Sequence, residues 1–66
     1  MLTKFTGWST FSQQASGVVM IDRGEVAAVE GSDNGRGVTW SRVHLKTGTT
    51  LDVYEDADTV QRKLSL

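Results

Sequence analysis

The sequence holds no cysteine, no proline and only one histidine, His44. Without cysteine there can be no disulfide and no thiolate metal site. One imidazole cannot build a histidine cluster, and no motif implies a cofactor. The lack of cysteine agrees with a reducing compartment. An excess of either charge is missing as well: seven Lys and Arg are mixed with eight Asp and Glu, for a net charge of -1. No basic patch stands out, so the phosphate attraction that drives non-specific nucleic-acid binding is weak and nucleic acid is not the expected partner. No apolar run approaches the ~20 residues needed to cross a bilayer, so membrane insertion is not expected. The opening segment, Met1 to Trp8, has no apolar h-region. A signal peptide is therefore not expected, and the chain reads as cytoplasmic.

Length adds a further bound. Residues 1–66 make one small domain. A chain of this size buries roughly 60% of the surface its unfolded form exposes. Small scaffolds usually gain stability from disulfides, a metal or oligomerisation. With the first two excluded, self-association or an unusually efficient core is the expected source.

What is present is mostly strand signal. Leu2 to Phe11 is rich in Thr, Phe and Trp and reads as a strand. Ser12 to Gly17 reads as a polar loop, and Val18-Val19-Met20-Ile21 as a short buried strand. Glu25 to Glu30 carries Val26 and Val29 three apart, which fits either a strand or a turn of helix entering one. Gly31 to Gly37 reads as a loop, with Asn34-Gly35 the preferred pair for a type I′ hairpin turn.

The stretch from Val38 to Leu64 is the most informative. A two-residue turn at Thr47-Gly48 would mix apolar and polar residues on both faces. A three-residue loop with Gly48 in the left-handed region pairs Val43 with Leu51 and Ser41 with Val53. Val43, Leu45, Leu51 and Val53 then share one face, and burial selects that register. The opposite face carries Trp40 facing Tyr54, Arg42 facing Asp52 and His44 facing Thr50. After Tyr54 the period changes. Ala57, Val60 and Leu64 fall on one helical face, with Asp56 as N-cap, Asp58 in the first turn, and Arg62 and Lys63 in the last. So short a helix must dock, most simply on the Val43 face.

The expected fold is therefore mainly β (α+β): a small, strongly twisted antiparallel sheet of four to five strands, tending toward a barrel, with one C-terminal helix. Candidate sites are few. The helix covers one sheet face, which leaves Trp40 and Tyr54 to be covered by the N-terminal aromatics Phe5, Trp8 and Phe11 or by a second copy. These five residues are the expected interface of a homo-oligomer. His44 beside Arg42 and Asp52 forms no recognisable catalytic set, so the chain is read as not an enzyme. Asp52, Glu55, Asp56 and Asp58 lack the spacing of a calcium loop. The expected function is that of a non-enzymatic accessory or adaptor protein, binding itself and a second protein. The alternative is a small-barrel nucleic-acid module that stacks bases on Trp40 and Tyr54.

One pattern extends over much of the chain. It comprises Ile21-Asp22 after an apolar strand, Val26 to Glu30, Val43 to Gly48, Leu51 to Glu55, and a helix with Val60 and Leu64. In these positions, from Val18 to Leu64, the chain resembles the FlbD-like family of small bacterial proteins, which includes flagellar accessory proteins. Small phage proteins share the outline. The resemblance implies the same small β fold and an accessory role.

Overall fold

The computed structural model describes all residues from Met1 to Leu66. The strands are β1 (Leu2–Ser9), β2 (Gln14–Asp22), β3 (Val26–Asp33), β4 (Thr39–Leu45) and β5 (Thr50–Val53). A 3-10 turn, Arg23–Glu25, separates β2 from β3, and helix α1 (Ala57–Leu64) follows β5. All neighbours pair antiparallel in one sheet of order β2-β1-β5-β4-β3. The sheet does not close into a barrel, and β2 and β3 are its two edges.

The β4–β5 hairpin forms in the register that burial selects. Ser41 faces Val53, Arg42 faces Asp52, Val43 faces Leu51 and His44 faces Thr50. Gly48 has φ 94°, and the Leu45 N–H donates to the Thr49 carbonyl at 2.9 Å. Val43 and Val53 are fully buried, with Leu45 and Leu51 packed against them. The expected pairing of Trp40 with Tyr54 does not form. β5 ends at Val53, and Tyr54 turns to β1, where its N–H donates to the Thr6 carbonyl at 2.8 Å. Gly7 facing Val53 is the single registered pair joining β1 to β5. A narrow seam thus links the β1–β2 hairpin to the three-stranded β3–β4–β5 half.

Three segments depart from the sequence reading. Ser12 to Gly17 is a loop only as far as Gln13, because β2 already begins at Gln14. A register shift between Thr6 and Trp8, with Gly17 at φ 73°, lets Ala15 pair with Trp8 and prolongs the hairpin. Gly31 to Gly37 likewise starts as strand: β3 continues through Gly31 and Ser32 to Asp33. Asn34-Gly35 is no type I′ turn, since Asn34 keeps a negative φ while Gly35 and Gly37 take positive values. The Asn34 side chain instead accepts the Arg36 and Val38 N–H groups, which shapes a longer loop. The valine spacing of three has its own explanation. A bulge between Val26 and Ala28 shifts the alternation, so Val26 and Val29 both reach the core within one strand.

The core lies between the sheet and α1. Phe5, Ile21, Val43, Val53, Val60 and Leu64 form it, each no more than 2% exposed. Asp56 caps the helix, its Oδ1 accepting the Thr59 N–H at 2.8 Å, and Ser65 closes it in the left-handed region. That hydrogen bond holds the Asp56 carboxyl below its ordinary value. A carboxyl depressed in the folded state contributes stability above the ordinary range and loses it as pH falls through the depressed value. Asp56→Asn caps without titrating, so it should flatten the loss of stability between about pH 5 and pH 2. Urea midpoints across that window check this, and identical slopes for both proteins would show that the cap carboxylate is not linked to folding.

Candidate interaction surface

The outer side of the β3–β4–β5 half is polar and internally paired. Arg42 Nε donates to Asp52 Oδ1 at 2.8 Å, with Nη2 reaching Oδ2 at 3.3 Å. This bidentate pairing raises the Arg42 pKa above its ordinary value. The guanidinium carbon also lies 5.3 Å from the centroid of the half-buried Trp40 ring. His44 Nε2 meets Glu30 Oε1 at 3.1 Å, so its partner comes from β3 and not from Asp52. No hydroxyl or second carboxylate joins that pair into a nucleophile–base–orienter chain.

The acidic residues after β5 each have a local task. Asp52 holds Arg42 and Asp56 caps the helix. Asp58 lies in the first turn, where the helix dipole favours it. Both Glu55 carboxylate oxygens accept the Thr6 N–H, at 3.0 and 3.1 Å. Lys63 Nζ donates to the Lys4 carbonyl at 2.6 Å, sits 3.7 Å from Glu55 and lies over the Phe5 ring. Beyond the Gly7 seam, β1 therefore has two side chains where a neighbouring strand would be. No group of three or more His, Cys, Asp or Glu comes together to hold a metal ion. The hollow beside these contacts is about 440 Å³ and open, lined by Thr3, Lys4, Phe5, Thr6, Val18, Glu55 and Lys63.

The five aromatics expected at an interface separate into different environments. Phe5 is 1% exposed and belongs to the core, so no second copy can reach it. Trp8 is buried and stacks on Tyr54, with centroids 5.1 Å apart and planes 12° from parallel. Its indole N–H is buried without an acceptor, a cost of about 1–3 kcal/mol that the stacking partly offsets. Tyr54 is partly exposed, Trp40 half-buried, and Phe11 stands free at the tip of the β1–β2 hairpin. Within one chain, then, it is the competing alternative of cover by an N-terminal aromatic that forms at Tyr54, and Trp40 takes no part in that stack.

A further group of exposed apolar residues lies elsewhere, and two of them, Val18 and Met20, were read as buried. Val18 is 61% exposed, Met20 48% and Leu2 60%. Thr6 faces Val18, Lys4 faces Met20 and Leu2 faces Asp22, so all three apolar residues share the outer face of the β1–β2 hairpin. Val19 and Ile21 point the other way, into the core. A continuous apolar run does not reveal that only alternate residues are covered. The facing strand, Leu2-Thr3-Lys4-Phe5-Thr6, does not alternate cleanly either, so no local signal marks the outer face.

No family model, curated protein or solved structure matches this chain. No helix is long and apolar enough to cross a membrane.

Proposed function

We propose that this chain is a non-enzymatic accessory module that acts as a homo-oligomer. The observation that carries the reading is the apolar outer face of the β1–β2 hairpin, where Leu2, Val18 and Met20 are each about half exposed or more. They share that face with Lys4, Thr6 and Asp22, and exposed apolar residues grouped on one face of a small domain support an interaction surface. The resemblance of Val18 to Leu64 to the FlbD-like family agrees with an accessory role, although strand, turn and cap residues carry fold rather than function. The nucleic-acid alternative has less support. Trp8 covers one face of Tyr54, Arg42 lies over Trp40, and the net charge is -1. Neither ring offers the free platform that base stacking uses.

The subunits associate already folded. One chain exposes 4249 Å², close to the ~4100 Å² typical of a folded monomer of this mass. Association is thus expected to be reversible and dependent on concentration. Sedimentation equilibrium from sub-micromolar to tens of micromolar should show mass rising from 7.2 kDa to a small multiple of it. A single 7.2 kDa species throughout that range would sink the oligomer reading.

A further inference from the structure

The strand edges of this sheet are not equally protected. β1 is closed on its inner side by Gly7, Tyr54, Glu55 and Lys63. The β3 edge carries Glu30 and Asp33 and a bulge at Val26, and α1 packs against it. Charge, bulges and covering elements are the usual ways an edge is kept from pairing with another chain. β2 has fewer of them. From Gln14 to Ile21 it has no charged residue and no proline, and its far side pairs with nothing. Its one irregularity, opposite the Thr6 to Trp8 step, sits with Gly17 in the first half of the strand. The second half, Val18 to Asp22, pairs regularly with Thr6 to Leu2 and has no bulge.

Resting on the oligomer reading above, we propose that two copies join by antiparallel pairing of this segment, Val18 to Asp22, with Met20 on the two-fold axis. The result is one continuous ten-stranded sheet, twice the five strands of a single chain. The occupant follows from charge and symmetry. A strand from another protein would find no charge between Val18 and Ile21 to select it, whereas an identical strand needs none. In this register Met20 faces Met20, Val19 faces Ile21 of the second copy, and Asp22 faces Val18. No like charges oppose one another. Val19 and Ile21 already lean on the core, so the two cores become neighbours along the new seam. Met20 and Val18 lose water on the outer face. A five-residue ladder is a small interface, which fits a dimer that dissociates on dilution.

The test is sedimentation velocity at tens of micromolar on the native chain, Met20→Lys and Phe11→Lys. Met20 is half exposed and Phe11 fully exposed, so neither change disturbs the core. The native chain and Phe11→Lys should be dimers. Met20→Lys sets two ammonium groups face to face and should weaken dimerisation roughly tenfold or more. Amide exchange on the native chain gives a second measure that needs no variant. Between Val18 and Asp22, the alternate N–H groups that point away from β1 should exchange more slowly at high concentration than at low. A Met20→Lys protein that stays as dimeric as the native chain, or β2 amides indifferent to concentration in a dimeric sample, would overturn this interface and leave the oligomer reading standing. A native chain that is monomeric throughout removes both.

Discussion

Replacing Leu64 by alanine is expected to remove on the order of 2–5 kcal/mol of stability. Leu64 is 1% exposed and closes the core from the last turn of α1, against Phe5 and the valines of β4 and β5. Truncation deletes buried methyl groups and leaves a cavity that the sheet beneath cannot collapse to fill. A chain of this length has only roughly 3–10 kcal/mol in total. The midpoint of thermal unfolding should therefore fall by about 10 °C or more, at a concentration low enough to keep the chain monomeric. An unchanged midpoint would mean that α1 is a loose tail. The exposed neighbour Lys63 is a useful contrast. Lys63→Met keeps the stem over Phe5 but loses the bond to the Lys4 carbonyl, and should cost far less than the loss of Leu64.

Gly7→Val is the second large effect. A Cβ at position 7 would overlap the carbonyl oxygen of Ser16 and come within 3.4 Å of the Val19 side chain. The obstacle on one side is backbone, which cannot swing away as a long side chain can. Gly7 also makes the only registered pair between β1 and β5. Relief would require β2 to shift or the seam to open. Overpacking of this kind costs about 1–3 kcal/mol and more where backbone must move. Urea unfolding should show a lower midpoint with an otherwise cooperative transition. At Gly31 a Cβ would come within 3.2 Å of the Ala57 Cβ, so Gly31→Ala should be the milder change because a helix face can yield slightly. A Gly7→Val protein as stable as the native chain would show that the seam is plastic.

How legible this was in the sequence depended on range. The β4–β5 register could be read because one loop glycine and eight alternating residues settle it between them, with no need of distant partners. The helix was equally plain, since its cap, its charges and its apolar face all lie within Asp56 to Leu64. What was misread required knowledge of a neighbour. Nothing within the Leu2 to Phe11 strand shows why residue 7 is glycine; it is small because the Ser16 carbonyl passes beside it. Gly31 looked like the first residue of a loop, but it is small because α1 crosses over it. Val18 and Met20 looked buried because nothing local says that β2 lies at an edge. Tyr54 was placed opposite Trp40 by extending the hairpin one pair too far, where β1 takes over as its partner. The contacts that Glu55 and Lys63 make with β1 carried no local signal. Their partners in β1 lie 49 and 59 residues away.

Those two separations bear on the order of folding. The β1–β2 hairpin precedes β5 and α1 in chain order, and its contacts are local. Its inner edge, however, stays open until β5, Glu55 and Lys63 exist. Synthesis at about 5–20 residues per second is far slower than hairpin formation at about 1–10 μs. During synthesis the hairpin therefore waits with both edges unpaired, and chaperone capture or pairing with another nascent chain competes for it in that interval. Arrival of α1 ends the interval on one side only.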